Sequence, residues 1–255
     1  MKNMTLYVEK DSLIHNIDPL TKLLFIVISI TTTYILPNRS IVIGVLAFTL
    51  LLLLIGKVLT NILPVIGVSF FLIISIIIIQ GMFHPDSTSI LFVIGPFTFY
   101  KEGIAIAMLL ALRVINMICA FGVLILTTRP DDLVESLINK GMSPKIGYIF
   151  LSVLQIIPQM MSMTSKITDA QRSRGMETEG NLIIRIKSFI PLLGPVVLNS
   201  LNDTRERAIA LEIRGFSSKR KKTFLNETFD YKYGFLLKTM LILLFFGVII
   251  WRVLL

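Results

Sequence analysis

The residues best equipped to do something chemical in this chain are two arginines. Arg174 lies in Gln171-Arg172-Ser173-Arg174-Gly175 and Arg214 in Leu211-Glu212-Ile213-Arg214-Gly215, forty positions apart. Each closes a long apolar stretch and precedes a glycine and then an apolar residue, Met176 or Phe216. One arginine before a terminal glycine is an ordinary helix C-cap. A matched pair suggests more, because a guanidinium offers five donors in a planar fork that suits carboxylates at protein interfaces. The chemistry on offer is docking, not bond-making.

The residues for other chemistries are missing. No Gly-x-x-x-x-Gly-Lys-Ser/Thr loop occurs; Gly56-Lys57 lacks both the upstream glycine and the hydroxyl residue. His15 and His84 are isolated, and no set of His, Cys and carboxylates has metal-ligand spacing. No nucleophile elbow or catalytic carboxylate pair is present. The chain is therefore read as a non-enzyme without a cofactor. Cys119, the only cysteine, sits in an apolar run and reads as a buried thiol.

The elements that must carry the arginines are those of a membrane protein. Of 255 residues, 54% are hydrophobic and the mean hydropathy is +0.80, above the roughly 45–50% of soluble domains. The net charge of +9 fits the inside bias of basic residues in membrane proteins. No nucleic-acid module is visible, and no secretory signal opens the chain.

Five apolar stretches read as spans: Leu20–Leu36, Ile41–Gly56, Ile62–Gln80, Gly103–Leu126 and Phe235–Leu255. The first two are short and joined by a tight hairpin at Pro37-Asn38-Arg39-Ser40. Met82–Glu102 reads as an outer loop lying on the membrane surface, its apolar piece Ile90–Phe99 broken by Gly95-Pro96. Residues 128–233 hold 16 of the 25 Lys and Arg and 11 of the 16 Asp and Glu, and so read as cytoplasmic, which puts the N-terminus inside too. Lys2, Lys10 and Lys22 are counted with the inner segment before the first span. The expected fold is all-α, with three regions: 1–127 (four spans), 128–233 (a coupling region) and 234–255 (a last span).

Within the charged region, Pro130-Asp131-Asp132 opens a short helix through Asn139, closed by Gly141. Ser143-Pro144 starts a long helix to about Arg174. Its apolar residues Ile146, Ile149, Phe150, Val153, Leu154, Ile157, Met160 and Met161 are spaced by three and four, with a kink expected at Pro158. A second long stretch follows Gly180-Asn181 to Arg214, with breaks expected at Pro191 and Pro195. Neither reads as a span, the alternative being Leu182–Leu201 as a sixth one. The first mixes in Gln155, Gln159, Ser162 and Lys166; the second carries Arg185 and Lys187 near its start. Met160, Met161 and Met163 give an adaptable surface. Arg113, inside the fourth span, has no acid partner there and reads as a contact to carbonyls or to the coupling region. Lys219-Arg220-Lys221-Lys222 suits anionic membrane lipids or an acidic protein surface.

Several of these stretches together resemble the transmembrane T component of energy-coupling factor transporters, the family that includes the membrane subunit of cobalt and nickel uptake systems. They are His15-Asn16-Ile17-Asp18-Pro19-Leu20-Thr21-Lys22-Leu23-Leu24, Leu112-Arg113, Thr127-Thr128-Arg129-Pro130-Asp131-Asp132-Leu133, Gln155-Ile156-Ile157-Pro158 and the two arginine motifs. The family's signatures read Ala-Arg-Gly or Ala-Arg-Ser; here Ser173 and Ile213 replace the alanine.

The resemblance implies a coupling subunit of an ATP-driven vitamin or metal-ion importer. Arg174 and Arg214, with Ser173, Gly175 and Gly215, would dock on two ATP-binding-cassette ATPases. A separate substrate-binding membrane subunit would pack on Phe150, Val153, Leu154, Ile157, Met160, Met161, Phe189 and Leu193. The alternative is a self-contained secondary transporter, which calls for intramembrane acids or an inverted repeat; the spans hold no acid.

Overall fold

A computed structural model of the chain describes residues 7–83, 89–94, 97–176, 181–218 and 234–254. His84, Gly95-Pro96, Gly180 and the basic run 219–222 lie outside the described residues, as do the side chains of Arg185 and Lys187. The elements are α1 (Pro19–Ile35), α2 (Arg39–Ile55), α3 (Leu59–Phe83), β1 (Ile90–Ile94), β2 (Phe97–Tyr100), α4 (Lys101–Thr127), α5 (Pro130–Asn139), α6 (Pro144–Ser173), α7 (Leu182–Ile213) and α8 (Gly234–Leu254). They form two compact units, Met1–Lys140 with Glu227–Leu255, and Gly141–Asn226.

Local sequence sets most helix ends. The Asp18 carboxylate accepts from Leu20 N–H at 3.2 Å, and Pro19 supplies a preset first residue. Asn38 caps α2 through Ser40 N–H at 3.2 Å. α6 and α7 run on as helices through Pro158, Pro191 and Pro195, so the expected interruptions at Pro191 and Pro195 do not divide α7. The all-α expectation needs one amendment: Ile90–Tyr100 forms an antiparallel hairpin, with Val93 opposite Thr98 and Ile94 opposite Phe97. Its β-branched and aromatic residues favour a pleated strand over a surface coil.

The first unit is built around α4, which packs on α1, α2 and α3, while α5 and α8 pack on α1. Leu53, Val58, Ile62, Cys119, Val123 and Leu126 form its main core, joined by Ile14 from the segment before α1. Apolar side chains also cover the outside: Val68 and Phe71 are 81% and 80% exposed. Polar groups are held within. Asn116, fully buried, donates to Ser29 Oγ at 3.0 Å and accepts from Thr49 Oγ1 at 3.2 Å, tying three helices together. The Arg113 guanidinium donates to the Thr33 carbonyl at 2.9 Å and lies over the Tyr34 ring, which is the carbonyl contact expected of an arginine in an apolar helix.

Among the described residues, α3, α4 and α6 are long and apolar enough to cross a membrane, while α1 and α2 have 17 residues each. Such a helix is about 25 Å long, a little under the roughly 30 Å of hydrocarbon. α6 departs from the sequence reading, which took it as too polar to span. The reason is the arrangement of its charges: after Lys145, the next is Lys166, so its first two-thirds are apolar enough.

One end of this unit is clamped by polar contacts. Lys22, counted from sequence with the inner charges although it falls within the first span, is inside α1 and 4% exposed. Its ammonium donates to the Thr127 carbonyl at 3.0 Å and to Thr128 Oγ1 at 2.9 Å. It thereby satisfies a carbonyl at the α4 C-terminus, where a cation also suits the helix dipole. Asp18 pairs with Lys238 of α8. Val8 N–H donates to the Leu126 carbonyl at 3.1 Å, Lys10 to the Lys57 carbonyl at 2.7 Å, and Arg129 pairs with Glu9 beside the Tyr7 ring. The opening stretch and the Thr127–Asp132 stretch, more than a hundred positions apart, thus meet at the point where α4 hands over to α5. Burial raises the Asp132 carboxyl above its ordinary value, with Arg129 pulling the other way.

His15 belongs to the same clamp. Val8 O at 3.0 Å can only accept, so Nε2 carries the proton, and Nδ1 accepts from Ser12 Oγ at 2.7 Å. Burial holds the imidazole below its ordinary value.

Replacing Lys22 by Met strands the Thr127 carbonyl and should cost about 1–3 kcal/mol, read as a lower unfolding temperature of the detergent-solubilised protein; an unchanged midpoint contradicts the clamp. A second expectation concerns pH. Because folding disfavours the charged imidazole, the stability due to His15 is complete above the unfolded value of about 6.5 and is lost as pH falls through the folded one. The unfolding temperature of the wild type should therefore fall more between pH 7 and pH 5 than that of His15→Gln; parallel curves contradict it.

Candidate functional site

The two arginines sit at structurally equivalent positions. Arg174 ends α6 and Arg214 ends α7, and each is followed by glycine in the left-handed region, Gly175 at φ +87° and Gly215 at φ +68°. Gly175 N–H donates to the Arg172 carbonyl at 2.9 Å and Met176 N–H to the Gln171 carbonyl at 3.1 Å. The second end repeats this: Gly215 to Glu212 at 2.9 Å and Phe216 to Leu211 at 3.0 Å. Both are Schellman closures, in which the two residues past the cap satisfy the final carbonyls. Any other residue at either glycine would carry the strain of the left-handed backbone.

This closure decides what the arginines are not doing. A terminal arginine can itself bond the last carbonyls, but here the main chain already takes two of them at each helix end. Both arginines are exposed, and neither side chain makes a hydrogen bond or ion pair with any described residue. Ser173 is engaged with its own helix, donating to the Asp169 carbonyl at 3.1 Å, and Ile213 is 82% exposed.

α6 and α7 lie side by side in opposite directions. Ile156, Gln159, Met160 and Met163 face Ser200, Asp203, Thr204 and Arg207 across a narrow cleft. Arg207 donates to Gln159 Oε1 there. Further toward the start of α6, the Tyr148 ring meets Phe216 at 5.2 Å between centroids. The second arginine cap therefore lies beside the first turns of α6, whereas Arg174 is at its far end. At a rise of about 1.5 Å per residue, 26 residues of α6 put about 40 Å between them.

Between these ends runs an apolar stripe without cover in its own unit. On α6, Phe150, Val153, Leu154, Ile157 and Met161 are 37–55% exposed, and on α7 Phe189 and Leu193 are 56% and 43% exposed. Met160 stands apart from this group: it is half-buried in the cleft against α7. Soluble proteins rarely leave so many large apolar groups open along one element. Among the described residues, no three His, Cys, Asp or Glu side chains lie close enough to share a metal ion.

Sequence reasoning passed over Lys22 and Asn116 as functional positions. Lys22 was detectable as a lone cation one turn inside an apolar helix. Asn116 had no such signal, since its partners Ser29 and Thr49 lie 87 and 67 positions away.

Known proteins match most of this sequence. A family model described as cobalt transport protein matches residues 10–224. The energy-coupling factor transporter transmembrane protein EcfT of Streptococcus equi is 32% identical over 231 residues, covering 85% of this chain and 84% of its own. Its counterpart in Brevibacillus brevis is 32% identical over 244 residues, covering 89% and 90%; that of Staphylococcus aureus is 28% identical over 241 residues, covering 88% of each. A match that begins before α1 and continues past the second arginine cap is enough to assign membership: the chain belongs to the transmembrane T components of energy-coupling factor transporters.

Proposed function

We propose that this chain is the coupling subunit of an ATP-driven importer, with Arg174 and Arg214 each docked on one of two ATP-binding-cassette ATPases. The observation that carries the reading is the pair of identical Schellman closures, each leaving an exposed arginine without employment in the described fold. Their separation of about 40 Å along α6 suits two partners better than one. A charge-assisted pocket on each ATPase, with a carboxylate opposite each fork, completes the contact.

In this reading α1 to α4 and α8 cross the bilayer, and residues 128–233 form the coupling region on the cytoplasmic side with the N-terminus. The open stripe of Phe150, Val153, Leu154, Ile157, Met161, Phe189 and Leu193 receives the substrate-binding membrane subunit, with Met160 lending the cleft an adaptable wall. The cargo, a vitamin or a metal ion, is recognised by that subunit. ATP-driven motion of the ATPases shifts the two arginine ends, and the stripe passes the movement to the substrate-binding subunit. α5, held by the Lys22 clamp, is the link through which the first unit and the coupling helices are joined along the chain.

A second arrangement, with α6 as a further span, is favoured by its length and apolarity alone and has a different consequence. Because the arginine caps lie at opposite ends of the α6–α7 pair, a spanning α6 would set them on opposite faces of the membrane. Only a pair lying on one side lets both meet ATPases.

In the reconstituted complex, Arg174→Ala or Arg214→Ala should each lower ATP-driven uptake at least tenfold, since truncating one partner of a buried charged contact costs about 2–5 kcal/mol. The double substitution should abolish uptake while the chain remains folded in the membrane. Full uptake by the double variant, in complexes of normal abundance, refutes the docking role. The chain reconstituted alone should move no substrate; transport without partners would instead mark a secondary transporter.

A further inference from the structure

The first unit contains a groove of about 360 Å³ between α1, α2, α4 and α8, within the size range of small-molecule sites. Phe25 and Ile28 of α1, Val45 and Phe48 of α2 and Leu241 and Leu244 of α8 make up much of its wall. Three hydroxyl residues break the apolar surface, of which Ser29 is taken by Asn116. Thr21 and Thr32, 3% and 5% exposed, both line the groove, and neither Oγ1 has a hydrogen-bond partner. This is unusual even within α1. Thr31 Oγ1 donates back to Val27 O at 2.7 Å and Thr33 Oγ1 to Ile30 O at 2.8 Å, the usual resort of a threonine in an apolar helix. Eleven residues separate Thr21 from Thr32, three turns on one face and about 16 Å of groove.

The two ends of the groove differ. Beside Thr21 is Lys22, whose ammonium has three N–H donors and uses two on Thr127 and Thr128. That end therefore offers a hydroxyl and a spare cationic donor. The Thr32 end offers only its hydroxyl among apolar walls. Water is a poor occupant beyond the Thr21 end, because a buried water needs two to four polar partners. An empty groove forfeits the dispersion contacts of its whole lining. An occupant with one polar end and a long apolar body meets both demands.

We propose that the groove holds one acyl chain of a membrane glycerophospholipid, with the Thr21 hydroxyl donating to an ester carbonyl and the phosphodiester facing Lys22. The chain runs along α1 toward Thr32. The lipid acts as an interhelical filler that joins α8 to α1 and α2, beside the Asp18–Lys238 ion pair. The proposal stands whether or not the arginine caps dock ATPases.

Gly44 of α2 provides the test. It lines the groove, and a Cβ added there meets nothing within 4 Å, so a larger side chain enters the groove and not the helix packing. Gly67 of α3 is equally open but does not line it. The full-length chain, purified in mild detergent, is incubated with phosphatidylglycerol or with oleic acid and examined by native mass spectrometry. Wild type and Gly67→Phe should retain one phosphatidylglycerol per chain, and Gly44→Phe should lose it, with Gly44→Leu intermediate. Thr21→Val should weaken retention roughly fivefold, the worth of one hydrogen bond, whereas Thr32→Val should not weaken it. Thermal unfolding of each variant shows that it is folded. Retention that ignores Gly44→Phe in a folded protein, oleic acid or detergent held as firmly as phospholipid, or equal losses at Thr21 and Thr32 would each overturn the proposal.

Discussion

A helix that stops must find partners for its last carbonyls, and the way α6 and α7 meet that demand governs the docking role proposed for this protein. Both use the two N–H groups that follow the cap, brought round by a glycine in the left-handed region. The backbone closes itself, so the arginine at the cap is released from the task. Its positive charge still suits the negative end of the helix dipole, and this keeps it stable where it is. What remains is a five-donor fork at the end of a long helix, exposed to its surroundings.

The first unit meets the opposite problem. Its outer surface is apolar and its polar groups are turned inward, where each must be satisfied. Asn116 joins three helices, Arg113 reaches a carbonyl of α1, and Lys22 closes the end of α4. The contacts become denser toward the end where the segment 7–18, α4, α5 and α8 gather, and there they include ion pairs and a neutral His15. That clamp lies at the start of α5, the element that leads by a short turn at Gly141 into α6.

Helix ends were the most readable part of the sequence. Pro130 to Asn139, Ser143-Pro144 and the two Arg-Gly steps mark boundaries that the structure repeats, because caps are local and depend on a few neighbouring residues. The hairpin Ile90–Tyr100 was passed over although its residues favour strands; a search for spans weighs apolarity and discards short pieces. Lys22 was misplaced because position relative to an apolar stretch does not reveal that Thr127 and Thr128 wait beside it. The apolarity of α6 was underrated for its glutamines and serine, which do little to offset a twenty-residue gap between lysines. Arg174 and Arg214 were legible as a pair from spacing alone, but that their carbonyls are satisfied without them needed the backbone.

Sidedness of the two helix ends tests the central claim most directly. Ser173→Cys and Ile213→Cys, made separately in a Cys119→Ala background, can be labelled in oriented membrane vesicles with a thiol reagent that does not cross the bilayer. Both positions are exposed in the fold, so reactivity will report access from one face. The account predicts that both react in inside-out vesicles, that neither reacts in right-side-out vesicles, and that the assembled ATPases protect both. Labelling from opposite faces, or from the outside at either position, would contradict it.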